Sequence, residues 1–337
     1  MNAQTKLAII AIVVVIPLSS IVVYQTNPNN DSSYSETSKL QVISSFNPLH
    51  EFSQNVGKEK IEAVLLVPVG VEPHDWEPTI KDVQKMQASD LIVINGIGFE
   101  NWVEKLEENN FQGTVVDTSK GILINESENE HSDEHSDEHS DEHSDEHSDE
   151  HSDEHSDEHS DEHSDEHGHE SGDPHIWLNP VFAKIQVQNI ADAFSKHDPK
   201  NQQYYQSNAE SYIQELSLLD SQIRNELSNC SSDFIAFHDA FSYFAEEYDL
   251  NQHTILSSTD SHGEATAKTL ENVISTAKIH NIKIIFSEDN SDTRTSQTIA
   301  HEIGGKVLVL SPLEISSEKN YVEKMGENLE NLKEALC

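Results

Sequence analysis

Three histidines in separate short motifs carry the clearest potential for chemistry in this sequence. His74 lies in Pro-His-Asp-Trp-Glu-Pro-Thr, His175 in Asp-Pro-His-Ile-Trp-Leu, and His238 in Phe-His-Asp-Ala-Phe. Asp292, within the acidic segment 288–294, is a fourth candidate. Three imidazoles and one carboxylate suit tetrahedral Zn²⁺, although imidazole also binds other transition metals. These four side chains therefore predict a single metal site, provided that the fold brings them together.

The elements that must position these residues follow from an alternation of short apolar runs with helical segments. Strands are predicted at 40–45, 61–67, 91–95, 115–117, 234–237, 254–256, 283–286 and 307–310, and helices at 48–56, 101–108, 240–248, 264–280, 296–303 and 317–336. A further helix begins at Thr79, with Asp82 placed three residues later to complete a capping box. This alternation favours an α/β fold with two Rossmann-like lobes, each built on a parallel sheet covered by helices.

One long helix is expected to join the two lobes. Residues 181–196 have a helical pattern, and Asp198-Pro199 starts a second helix that meets no breaker before about residue 228. About 30 helical residues form a rod of roughly 45 Å, which is long enough to connect two lobes. The predicted organisation is an N-terminal lobe over 40–198, a connecting helix over 199–228 and a C-terminal lobe over 229–337.

The predicted topology also gives the place of the metal site. Ligands of open α/β sheets gather at the carboxyl ends of the strands. His74 and His175 come from the first lobe, whereas His238 and Asp292 come from the second. A metal ion is therefore expected in the cleft between the lobes.

A repetitive insert interrupts the first lobe at 126–170. The tetrapeptide His-Ser-Asp-Glu repeats nine times over 131–166, and the insert holds 22 of the 62 acids but no Lys or Arg. Without apolar residues, it should be disordered as a free chain. Imidazoles four residues apart would share a helix face, so the insert is predicted to bind several metal ions weakly and exchangeably. Its histidines are His131, His135, His139, His143, His147, His151, His155, His159, His163, His167 and His169. The alternative is a solvated charge run that binds no ligand.

The composition narrows the range of partners. The chain has 337 residues and a formal net charge of −42, and outside the insert 40 acids still face 20 Lys and Arg. Such a charge argues against nucleic acid and anionic membrane surfaces as partners. Cations, including metal ions, are the better expectation.

The ends of the chain and its cysteines bear on the compartment. Residues 1–25 contain the apolar run 7–23, which is typical of a secretory signal or an uncleaved membrane anchor, and 26–39 resemble a flexible linker. The folded part is therefore expected outside the cytoplasmic membrane. An oxidising compartment would permit a disulfide between Cys230 and Cys337, but sequence alone leaves that pairing open.

Several motifs together resemble the substrate-binding proteins of zinc and manganese ABC importers, which form solute-binding protein family 9. The matching stretches are PHDWEPT, SDLIVINGIGFENW, DPHIWLNP, DPKNQQYYQSNAESY and FHDAFSYF, and the resemblance covers about 40–336 apart from the insert. It implies a monomeric, non-enzymatic protein with a rigid helix between two lobes. Such a protein binds one metal ion in its cleft and passes it to an ABC permease that works with an ATPase.

The resemblance also carries roles onto individual residues. His74, His175 and His238 match the first three ligands of the family, and Asp292 matches the fourth-ligand Asp of the manganese-type and mixed members. Manganese-type members often have a carboxylate at the third position, so His238 favours Zn²⁺ as the cargo, with Mn²⁺ or Fe²⁺ as the alternative.

Two other functions are compatible with the same residues. A zinc hydrolase would need an open metal position and a general base such as Glu288, but Asp292 would fill that position and no HExxH helix is present. A surface metal buffer or adhesin-like protein would instead depend mainly on the insert.

Overall fold

The computed structural model describes residues 39–108, 111–123, 172–256, 265–289 and 293–337. The predicted signal or anchor, most of the linker, the histidine-rich insert and Asp292 lie outside these residues. Within the described ranges, no helix is both long enough and apolar enough to cross a membrane.

The first sheet has four parallel strands in the order β2-β1-β3-β4. They are β1 (Leu40–Ser44), β2 (Ile61–Leu65), β3 (Leu91–Ile94) and β4 (Thr114–Asp117), and the helices between them are α1 (Asn47–Gly57), α2 (Ile80–Gln87) and α3 (Val103–Glu108). The predicted capping box starts α2: Asp82 donates its backbone N–H to Thr79 Oγ1 at 3.4 Å, and Thr79 donates its own to the Asp82 carboxylate at 3.1 Å. All four residues of β3 are buried, which accounts for its continuous apolar sequence.

Two helices connect the sheets. Helix α4 (Pro180–His197) is capped by the Asn179 side chain and has proline in its first turn, while α5 (Gln202–Leu227) follows a 3₁₀ turn at Pro199–Asn201. The predicted long helix is therefore confirmed. Its buried residues recur every three or four positions, at Tyr205, Ala209, Tyr212, Leu216, Leu219, Ile223 and Leu227. This stripe packs against α1 and α4, and also against the C-terminal helix α9 (Tyr321–Leu336).

The second sheet repeats the first, with four parallel strands in the order β6-β5-β7-β8. Its elements are β5 (Asp233–Ala236), α6 (Ser242–Glu247), β6 (Asn251–Thr254), α7 (Ala267–Ile279), β7 (Ile284–Ser287), α8 (Arg294–Ile303) and β8 (Lys306–Val309). The two-lobe α/β prediction is thus confirmed. The prediction placed β6 at 254–256, but the strand is the polar stretch before it, Asn251–Thr254. The apolar residues Ile255 and Leu256 are buried and still donate backbone hydrogen bonds to the end of β5, which explains the error.

A continuous core and a disulfide hold the second lobe to the connecting helix. The largest hydrophobic cluster runs from β1 and β3 through α5 to β5, β7 and α9. The last residue, Cys337, forms a disulfide with Cys230, with 4.6 Å between their Cα atoms. Because Cys230 lies just before β5, this bond fixes the end of α9 to the entrance of the second sheet.

Candidate metal centre

Four elements bring four metal-binding side chains to one point. His74 lies in the connection from β2 to α2, and His175 precedes the 3₁₀ turn Ile176–Leu178 that leads into α4. His238 lies two residues beyond β5, and Glu314 lies in the loop after β8. Three of these positions follow the carboxyl end of a strand, as expected for ligand sites of open α/β sheets.

The distances between the ligand atoms match a tetrahedral metal ion. Glu314 Oε1 lies 3.2 Å from His74 Nε2, 3.3 Å from His175 Nε2 and 3.9 Å from His238 Nε2. The Nε2 atoms of His175 and His238 are 3.3 Å apart, and all four ligand atoms lie within 4.8 Å of one another. Tetrahedral zinc with bonds of about 2.0–2.1 Å places its ligand atoms about 3.3 Å apart. The separations of 3.2 and 3.3 Å match this spacing, while that of 3.9 Å is wider.

Two further carboxylates fix the orientation of the imidazoles. His175 Nδ1 lies 2.6 Å from Asp173 Oδ1, and His238 Nδ1 makes a short hydrogen bond to Glu288. A carboxylate only accepts, so each Nδ1 carries a proton, and Nε2 is the atom of each ring that faces the centre and can bind a metal when it is itself unprotonated. The same carboxylates accept backbone N–H bonds from His175 at 3.0 Å and from His238 at 3.2 Å. Partners of this kind orient metal-binding histidines and make them more basic.

Burial strengthens the electrostatic interactions among the side chains of the centre. His175 and His238 are fully buried and Glu314 is 4% exposed, while His74 is partly buried. Burial would raise the pKa of Glu314, but hydrogen bonds from His175 and His74 hold it well below its usual range. Burial would lower the pKa of His175, but its bonds to Asp173 and Glu314 raise it to about 9. In the metal-free centre, a proton on His175 therefore balances the ionised Glu314, and a dication would displace that proton.

The loop that carries Glu314 is tied to the motif that carries His175. Trp177, which is fully buried, donates its Nε1–H to the Pro312 carbonyl at 2.8 Å. The Tyr321 hydroxyl donates to the Trp177 carbonyl at 2.6 Å. Leu313 is 3% exposed and has a φ of 62°, a left-handed conformation in which the backbone turns just before Glu314. Ligands from the two lobes are thus held in register by direct hydrogen bonds.

The structure brings the three predicted histidines together, and it adds Glu314, which sequence reasoning missed. The only signal in the sequence was weak: Glu314 lies a few residues after a predicted strand, as Asp292 does. Asp292, the carboxylate that was predicted instead, lies outside the described residues. Among the residues that the structure does describe, Glu314 supplies the carboxylate of the cluster.

The chain also matches a known protein family over both lobes. Residues 42–335 match the model of the ZnuA family, described as the periplasmic component A of a zinc-uptake complex. The chain belongs to the ZnuA family. Because the match covers nearly all of both lobes, the resemblance drawn from the motifs is confirmed. The family is a binding component of transport systems, and its description places it outside the cytoplasmic membrane.

Individual relatives of this ZnuA family member are named as zinc-uptake or zinc-binding proteins. The high-affinity zinc uptake system protein ZnuA of Bacillus subtilis is 37% identical over 314 residues, which are 90% of each chain. The zinc-binding protein AdcA of Streptococcus pyogenes is 32% identical over 302 residues, which are 88% of this chain but only 56% of AdcA. The crystal structure of the Zn(II)-bound ZnuA-like domain of Streptococcus pneumoniae AdcA is similar with a TM-score of 0.69 at 27% identity, covering 88% of this chain and 98% of that domain.

Proposed function

We propose that this protein captures Zn²⁺ outside the cytoplasmic membrane and delivers it to the permease of an ABC importer. The observation that carries the proposal is the convergence of three imidazole nitrogens and one carboxylate oxygen at tetrahedral spacing. His74, His175, His238 and Glu314 are the proposed ligands of the transported ion. Zinc uptake and zinc binding in the named relatives support this assignment.

The donor set favours Zn²⁺ over Mn²⁺ and Fe²⁺ as the cargo. Imidazole-rich, four-coordinate sites suit Zn²⁺, whereas Mn²⁺ prefers six ligands that are mostly oxygen. The carboxylates of Asp173 and Glu288 add negative charge behind two of the imidazoles. A buried dication is thus offset by three carboxylates, of which Glu314 alone contacts it.

Delivery of the ion requires partner proteins and a segment that directs the protein to the membrane, and that segment lies outside the described residues. An ABC permease and its ATPase are the proposed partners, and the protein is proposed to work as a monomer. Residues 7–23 would act as its secretory signal or anchor. Since α5 packs against α1 and α4 and also against the C-terminal helix α9, release of the ion would proceed through modest movement of the lobes on contact with the permease.

The proposed division of labour gives the tight ion to the centre and weak ions to the insert. Calorimetric titration with Zn²⁺ should find one tight ion in the full chain and in a variant that lacks 126–170, and the weak ions bound by the insert should be absent from the variant. Changing His74, His175 and His238 together to Ala should remove the tight ion and keep the weak ones. Loss of the tight ion on deletion of the insert would contradict this division.

Growth on limiting zinc separates transport from surface buffering. If the centre supplies an importer, the variant without the insert should support growth and the triple alanine variant should not. A protein that mainly buffers zinc with its insert would give the opposite result.

A further inference from the structure

A second group of metal-binding side chains lies on the C-terminal lobe, apart from the centre described above. Asp233 Oδ1 is 2.9 Å from His253 Nε2 and 3.0 Å from His280 Nδ1. The three ligand atoms all lie within 4.8 Å of one another, and the two imidazole rings are 4.9 Å apart between centroids. The group thus offers two imidazoles and one carboxylate to a common point.

The topology of the second sheet produces this group. In the parallel pairing of β5 with β6, His253 lies opposite Ile235, and Asp233 is two residues before Ile235 on the same face. Ile235 packs with Val273 and Ala277, so α7 covers this face. His280 is the C-cap residue directly after α7, and it therefore lies beside the other two.

This group lies at the opposite end of β5 from the proposed transport centre. Asp233 begins β5, whereas His238 lies two residues beyond its end. Five residues of extended chain, about 16 Å, separate the two positions. An ion bound at one group would therefore share no ligand with an ion bound at the other.

The surroundings suit a cation that exchanges with solvent. The side chains of Asp233, His253 and His280 are 22%, 30% and 37% exposed, so an ion could reach them directly. His280 lies at the carboxyl end of a 13-residue helix, where the helix dipole favours positive charge. Lys283, the nearest basic residue after the helix, directs its amino group to the Ile303 carbonyl at 3.2 Å.

We propose that Asp233, His253 and His280 form a second site for Zn²⁺ or a similar divalent transition metal, with water in the remaining coordination positions. Three protein ligands with an open position are an established zinc arrangement. His197 offers a contrast within the same chain, since its Nε2 lies 3.9 Å from the carboxylate of Asp90 and, among the described residues, it belongs to no group of three metal-binding side chains. Partial exposure and one missing ligand make this site weaker than the buried centre. It does not depend on the proposed transport function.

Carbethoxylation of histidines, measured peptide by peptide with mass spectrometry, tests the site in the full chain. A metal-bound imidazole carries its proton on the other nitrogen, so it has no free lone pair and does not react. Free Zn²⁺ is set with a chelator buffer, so that ions held by the insert do not alter it. His197, whose side chain is 38% exposed, is the matched control for His280 at 37%.

The expected result is protection of both histidines of the site. The modification rates of His253 and His280 should fall about tenfold once free Zn²⁺ exceeds the dissociation constant about tenfold, since only unoccupied protein reacts. The rate at His197 should stay constant. In Asp233→Asn, protection should need at least about tenfold more Zn²⁺. Loss of an outer-shell partner alone lowers metal affinity by that factor, and Asp233 is a direct ligand of the proposed site.

His280 is partly exposed and lies outside the strands, so His280→Ala is a second variant that leaves the sheet intact. His280→Ala should remove the protection of His253 while the tight ion still binds at the transport centre. Rates at His253 and His280 that stay as constant as the rate at His197 across the zinc range would overturn the proposal. It would equally be overturned if Asp233→Asn and His280→Ala were protected at the wild-type concentration.

Discussion

Replacing Glu314 by Gln should weaken zinc binding by at least about 10- to 100-fold, which corresponds to about 1.4–2.7 kcal/mol. Glu314 Oε1 lies 3.2, 3.3 and 3.9 Å from the Nε2 atoms of the three histidines, close to the separation of about 3.3 Å between two ligands of a tetrahedral zinc ion. Glutamine keeps the shape of the side chain but removes the only charge in direct contact with the ion. Loss of an outer-shell partner costs the quoted factor, so loss of a direct, charged ligand should cost no less.

The assay is competition with a chromophoric chelator at fixed pH and ionic strength, and circular dichroism checks that each variant is folded. Asp292→Asn is the matched control, because it removes the carboxylate that the sequence had suggested as the fourth ligand. If Glu314 is the fourth ligand, Asp292→Asn should keep wild-type affinity. Wild-type affinity in Glu314→Gln together with a loss in Asp292→Asn would refute the assignment of Glu314.

Three other outcomes follow from the described contacts. Glu288→Gln should lower zinc affinity about 10- to 100-fold, because His238 loses the carboxylate that accepts its Nδ1 proton; the chelator assay measures this. Zinc affinity should fall as pH falls below about 9, by about tenfold per unit from His175 alone, since its proton must leave before the metal binds; titrations between pH 6 and pH 9 check the sign. Changing both Cys230 and Cys337 to Ser opens a link across 107 residues and should lower the free energy of unfolding by about 2–5 kcal/mol, with the zinc stoichiometry unchanged in denaturant and binding assays.

Much of the fold was predictable because its signals are local. The apolar runs that became β1, β3, β5 and β7 are short, buried and separated by helical segments, as parallel sheets require. The capping box of α2 and the long helix α5 also came from neighbouring residues. Strand β6 was misplaced because its own residues are polar and partly exposed, so the apolar pair that follows gave the stronger signal.

The metal centre was predictable only as far as its motifs are distinctive. A histidine in a Pro-His or Phe-His-Asp context stands out, whereas Glu314 is one of 62 acids and has no unusual neighbour. Its role depends on a hydrogen bond between Trp177 and Pro312, which are 135 positions apart. The pairing of Cys230 with Cys337 likewise depends on where α9 ends, which no local pattern specifies.

The left-handed backbone at Leu313 restricts which residues can occupy that position. Glycine would adopt the φ of 62° without strain, but it would leave a void where the leucine side chain fills the core. Valine or isoleucine would fill part of that volume, but branching at Cβ disfavours this backbone angle. An apolar side chain unbranched at Cβ satisfies both demands, so random mutagenesis at position 313 should return only leucine, methionine and similar residues among variants that retain zinc.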